Sequence, residues 1–292
     1  MQEDPDVYRV VLGGFAVEIK NYARDISPAL SFLLKDTYQE GGELQTRFII
    51  RSGEPDKSGK SNAKFTVSRK DKVCHRSETP GRVCTYLIGE IIFHLIDNNS
   101  SDILIHTACI SRNGAGILLP GVSGAGKSTL TTWMLTRGYR YLTDEIIALN
   151  PDTLEAQALT RPLNLKRTGW DAVVTNELGD VRNAEKLDGS VSHLVEHRAF
   201  NPDYELETVQ IKAVVFPRFS ASADFSLEPI SSAKTAMLMM QTFVNARNHP
   251  GHGFPAITSI ARAVSGYELR YSKFEQLEVL DTELRNLTNG QC

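Results

Sequence analysis

A chain of 292 residues, 41% hydrophobic and 23% charged, has the composition of an ordinary globular protein with a substantial core, not of a disordered one. Its 32 basic and 35 acidic side chains leave a formal charge of −3, which predicts no bulk attraction to nucleic acid or to an anionic membrane. The opening MQEDPDVYRV lacks the basic-then-apolar order of a secretory signal. The densest apolar stretch, Tyr86 to Ile96, is broken by Glu90 and His94 and is too short to span a bilayer. The expectation is therefore a cytoplasmic protein.

In chain order, Tyr8–Ile19 and Arg47–Arg51 carry β-branched and aromatic residues and read as strands. Pro28–Lys35 reads as a short helix with Ser27 as its N-cap. Ser52–Ala63 is a polar loop before a strand at Lys64–Ser68. Cys74, Cys84, Cys109 and Cys292 show no CxxC pairing and read as reduced structural thiols, with a zinc site on Cys74, His75 and Cys84 as the weaker alternative. From Arg82 to Asn98, apolar residues recur at three- and four-residue spacings, the face of an amphipathic helix. A boundary is expected there, between a small α+β N-terminal region (1–98), a candidate for substrate recognition, and a second domain (99–292).

Ile103–Ser111 and Gly116–Pro120 read as two strands joined at Arg112-Asn113-Gly114. Ser128 to Arg137 reads as a helix stopped by Gly138. Tyr139–Thr143 is a strand into Asp144-Glu145, and Ile146–Leu149 continues extended. Further strands are expected at Ala213–Phe216 and Glu268–Tyr271, and helices at Ser232–Arg247 and Ala256–Val264. No internal repeat is present, and the alternation of periods predicts an α/β domain with a mixed sheet.

Gly121-Val122-Ser123-Gly124-Ala125-Gly126-Lys127-Ser128 satisfies GxxxxGK[ST], with Thr129 following. An apolar strand precedes it and a helix follows, the setting that a P-loop needs. Glycines let the backbone curl so that N–H groups face phosphate oxygens, and the helix adds its positive end. Gly121, Ser123, Gly124, Ala125, Gly126, Lys127, Ser128 and Thr129 are thus the expected contacts for ATP, with Lys127 on the β- and γ-phosphates. Ser128 is expected to hold Mg²⁺, with Asp144 and Glu145 as carboxylate partners. The chain has neither the NKxD motif of GTPases nor the LSGGQ motif of ABC ATPases.

The run from Ile105 through Leu149, IHTACISRNGAGILLPGVSGAGKSTLTTWMLTRGYRYLTDEIIAL, resembles the catalytic domain of HPr kinase/phosphorylase and its relatives, a family that shares its fold with phosphoenolpyruvate carboxykinase. The resemblance implies a histidine near the phosphates (His106), a general base acting on an acceptor hydroxyl (Asp144) and a second acidic position (Glu145). Lys127 and the cationic residues Arg161, Lys166 and Arg218 are candidates for charge stabilisation in the transfer. It implies a kinase acting on a hydroxyl of a protein, peptide or small molecule, and the family is commonly oligomeric, so a homo-oligomer is expected on that ground alone. The glycine-rich signature that the HPr enzymes carry after the acidic pair is missing, which leaves HPr itself unassigned as substrate. Alternatives are a nucleotide-dependent switch without phosphotransfer and, less favoured, carboxykinase-like chemistry. His193, His197, His249 and His252 receive no role.

Overall fold

A computed structural model describes residues 4–53, 63–181, 183–188 and 191–289. Most of the expected loop at 52–63, and Cys292, lie outside them. Strands β1 (Asp6–Leu12) and β2 (Phe15–Asn21) form an antiparallel hairpin. The single strand expected over Tyr8–Ile19 is therefore two, because Gly13 and Gly14 both take positive φ and fold the run back on itself. Helix α1 (Ser27–Leu34) comes next. Ser27 is its first residue and not its N-cap; its hydroxyl donates to Asp6 Oδ2 at 2.5 Å. Strands β3 (Glu43–Ser52), β4 (Phe65–Arg69) and β5 (Lys72–Ser77) complete a sheet ordered β1-β2-β3-β4-β5. Helix α2 (Pro80–Asp97) buries Val83, Leu87, Ile91 and Leu95, one stripe at helical spacing. These apolar side chains join Val10, Val17, Phe48, Ile50 and Val67 in one core, which Leu104, Ile146, Ala148 and Leu159 also enter. The N-terminal sheet thus shares buried surface with the chain beyond residue 98.

The second sheet takes β6 (Ile103–Arg112), β7 (Ala115–Pro120), β8 (Arg140–Thr143), β9 (Ile146–Leu149) and β10 (Glu155–Ala158), with α3 (Lys127–Thr136) after β7. Next come β11 (Leu163–Lys166), α4 (Arg167–Thr175), β12 (Lys186–Asp188) and β13 (Ser192–Val195); these three strands form a small separate sheet. The last elements are β14 (Val209–Phe219), β15 (Ser226–Ile230), α5 (Ser232–Met240), α6 (Phe254–Ala263), β16 (Ser265–Tyr271) and α7 (Glu278–Thr288). The large sheet runs β10-β9-β6-β7-β14-β16-β15, with β8 also on β6. It is mixed: β7, β14 and β16 are mutually parallel, and β6 is antiparallel to β7.

Alternation sorts the buried side chains to two faces. Ile117, Leu119, Ala213 and Val215 meet Trp133 and Leu130 of α3 and Leu280 and Leu284 of α7. Leu118, Val214 and Phe216 meet Met239 of α5 and Ile257 and Ile260 of α6. Helix α5 stops at Met240 rather than at Arg247 as expected. The chain beyond it is captured by β6: His106 N–H donates to Thr242 C=O at 2.8 Å and Val244 N–H to Leu104 C=O at 2.9 Å.

The architecture is thus mixed α/β with several sheets. Among the described residues no helix is long and apolar enough to cross a membrane. Nor does any group of three or more His, Cys, Asp or Glu among them converge as a metal site. Cys84 is buried, and burial pushes its thiol up to about 12. Cys74 instead donates to Val67 C=O at 3.2 Å, and His75 stacks on Tyr86.

Candidate active site

Parallel pairing brings the C-terminal ends of β7, β14 and β16 to one sheet edge, the place where open α/β sheets bind ligands. The glycine-rich loop leaves β7 at that edge and enters α3. Gly124 and Gly126 both have φ of +91°. At Gly126 no side chain fits: a Cβ would lie 2.6 Å from Tyr271 Oη and 3.0 Å from Phe219 Cβ. Lys127 is 8% exposed, and its Nζ donates across the loop to the carbonyls of Gly121 and Val122. Burial, reinforced by the Lys166 charge, holds its amine below the ordinary lysine range, although Asp144 and Glu145 pull the other way.

The acidic pair sits between β8 and β9, on the β6 side of the loop. Asp144 is 4% exposed and both its oxygens are engaged. Oδ2 accepts from Ser128 Oγ at 3.0 Å and from Asn164 N–H at 2.8 Å. Oδ1 accepts from Tyr141 Oη at 3.3 Å and lies 3.3 Å from Arg161 Nη2. The same Nη2 pairs with Glu145. Burial works against the Arg161 charge, but Asp144 and Glu145 outweigh it and raise its pKa above the ordinary arginine value. Tyr141 is held protonated, by burial first and then by the neighbouring Asp144. His106 Nδ1 stands 3.7 Å from Glu145 Oε1.

His106, Lys127, Ser128, Asp144 and Glu145 line one cavity of about 640 Å³, as do Ser123, Gly124, Gly126 and Thr129. That volume lies within the range of small-molecule sites, roughly 300–1,000 Å³. Among the sequence-derived cations, Arg161 also lines it but serves as counter-ion to the acidic pair. Lys166 reaches over the loop, its Nζ 3.0 Å from Ser123 Oγ. Arg218 is not brought to the cavity: it is 59% exposed and faces Glu268 at 3.7 Å. Sequence reasoning missed Tyr141 and the backbone of Asn164. Their signal is positional, since one faces Asp144 from the strand before it and the other from a strand twenty residues on. His197 is structural, buried between Tyr141 and Tyr204 with its Nε2 2.9 Å from Asp36 Oδ2.

Chemically, the arrangement offers hard oxygen ligands. Ser128 Oγ and Asp144 Oδ2 converge, and the buried Oδ1 of Asn164, which has no hydrogen-bond partner, belongs to a residue lining the same cavity. That donor set fits a magnesium ion. The fold and the site define a mixed α/β protein in which a glycine-rich loop at a parallel strand end is opposed by a buried acidic pair.

Stretches of the chain are similar to known proteins. A putative HPr kinase/phosphorylase 2 of Oceanobacillus iheyensis is 32% identical over 82 residues, 27% of each chain. The HPr kinase/phosphorylase of Clostridium botulinum (strain Eklund 17B / Type B) is 35% identical over 65 residues, 22% of this chain and 21% of that one. That of Clostridium beijerinckii is 32% identical over 65 residues, 22% of each. The matches therefore span about a quarter or less of the length of these relatives. No family model matches. The HPr(Ser) kinase/phosphatase structure from Coxiella burnetii aligns over 63% of this chain and 94% of its own, at 11% identity and a TM-score of 0.32, too loose a likeness to carry an argument. Over those 65 to 82 residues the chain is similar to HPr kinase/phosphorylases.

Proposed function

We propose that this chain is an ATP-dependent kinase with an HPr-kinase-like P-loop, transferring the γ-phosphoryl group to a hydroxyl of a protein, peptide or small molecule. The observation that carries the reading is the convergence, in one cavity, of the loop lysine, a serine hydroxyl at the helix start and a carboxylate 3.0 Å from that hydroxyl. Loop N–H groups, Lys127 and Lys166 would bind and orient the triphosphate, which supplies much of the catalysis in phosphoryl transfer. Ser128 and a carboxylate of the acidic pair would hold Mg²⁺, which when bound neutralises charge on the β- and γ-phosphates.

Asp144 is the general base of the proposal. Three hydrogen bonds and the Arg161 ion pair occupy both its oxygens, so it can take a proton only when one donor leaves. Ser128 is that donor: with its hydroxyl rotated away, Oδ2 would be open to the acceptor's O–H, and in that role Glu145 rather than Asp144 would share the cation with Ser128. The Arg161 guanidinium pairs with both carboxylates and holds them in place. The region before residue 98 is the proposed recognition part, and its face on the catalytic part is fixed by Asp36, which binds Arg198 at 2.6 Å as well as His197.

The test is transfer of label from [γ-³²P]ATP to hydroxyl acceptors in a lysate. Asp144→Asn is expected to keep ATP affinity within a few-fold and to lose transfer. If the wild-type protein binds ATP and labels nothing, the kinase reading fails and a nucleotide-dependent switch stands in its place.

A further inference from the structure

A triphosphate laid across the loop has two ends, and the sheet gives them different surroundings. The acidic pair and His106 lie on the β6 side of β7. On the other side of β7, at the ends of β14 and β16, the same cavity is lined by Phe219, Tyr271 and Phe274. Transfer at Asp144 sends the γ-phosphate toward β6, so the nucleoside must extend toward β14 and β16.

Phe219 there is a large apolar side chain left 47% exposed on a cavity wall. It is also tied to the phosphate loop. Its N–H donates to Ala125 C=O at 3.3 Å, and Ser220 N–H donates to Tyr271 C=O at 3.1 Å. Its ring and the Tyr271 ring meet edge to face, with centroids 5.4 Å apart at 64°. Tyr271 is itself held at the loop, its hydroxyl 3.5 Å from Gly126 C=O. Phe274 lies on the turn after β16 and is partly buried against the α3 core.

We infer that Phe219, buttressed by Tyr271 and accompanied by Phe274, is the stacking platform for the purine base of the nucleotide. This rests on the nucleotide reading above and adds to it the residue that distinguishes a nucleoside triphosphate from bare triphosphate. Stacking is sequence-tolerant because every base has a π-face. The platform therefore selects for a base without choosing adenine over guanine.

The test compares Mg-ATP with magnesium tripolyphosphate by calorimetry. Phe219→Ala is expected to weaken ATP about tenfold or more, as loss of base–aromatic stacking does, and to leave tripolyphosphate unchanged. Phe219→Trp should keep ATP affinity, and its indole emission should change with ATP but not with tripolyphosphate. The inference is overturned if Phe219→Ala binds ATP as the wild type does, or if both ligands weaken equally, which would make Phe219 a prop for the loop only. Should the wild-type protein bind neither ligand, the nucleotide reading itself fails and takes this one with it. Should wild type bind tripolyphosphate as tightly as ATP, the reading survives and the platform does not.

Discussion

Arg161 gives the sharpest energetic prediction. It is 4% exposed, and one nitrogen of its guanidinium serves both Asp144, whose side chain is 1% exposed, and Glu145, 23% exposed. Arg161→Met keeps most of the volume and removes the charge. A buried ion pair broken from one side costs roughly 3–5 kcal/mol, because a charge is left uncompensated. Asp144 would retain Tyr141, Ser128 and the Asn164 N–H, which puts the expected loss near the lower end, about 3 kcal/mol. Urea unfolding monitored by circular dichroism measures it, with an unchanged m-value marking a change in stability alone. The reference is Lys35→Met, which breaks the pair with Glu196 where both side chains are partly exposed (35% and 20%); roughly 0–1 kcal/mol is expected there. If Arg161→Met costs no more than Lys35→Met, the buried triad is not organised as described.

Gly126→Ala and Gly124→Ala start from the same φ of +91°. Strain of about 1–3 kcal/mol is expected at both, but only Gly126→Ala also drives a methyl into Tyr271 and Phe219. It should therefore show the larger fall in Tm; equal falls would contradict the packing. Asp36 supplies a pH test. Burial raises its carboxyl, but His197 and Arg198 outweigh this and hold it below the ordinary aspartate value. A depressed carboxylate stabilises the fold above its unfolded value and loses that contribution as pH falls through the folded one. The stability gap between wild type and Asp36→Asn should therefore narrow below about pH 4. A gap that is constant or widening from pH 5 to pH 3 would refute this.

Much of the site was legible because its chemistry is local. The glycine loop, Lys127 and Ser128 are contiguous, and Asp144 directly follows the strand next after α3. What the sequence hid is what the tertiary fold decides. The run from Tyr8 to Ile19 has strand chemistry throughout, and only the glycine pair at 13–14 marks its reversal. The residues after Met240 suit a helix, but β6 offers their backbone better partners. Arg161 and Arg218 look alike as isolated cations in apolar surroundings. Burial beside two carboxylates takes one into the site, while the pairing of β14 with β16 points the other at Glu268. The small β11-β13-β12 sheet lies in polar sequence without a clear period, and hydrophobic alternation could not announce it.

The central claim is that the loop at 121–129 binds the triphosphate of a nucleotide, and titration calorimetry of Mg-ATP against wild type and Lys127→Ala tests it most directly. Removing the ammonium should weaken binding by about ten- to a hundredfold, the scale of a lost charged hydrogen bond. An unchanged affinity in Lys127→Ala, or no binding by the wild-type protein, would contradict the account.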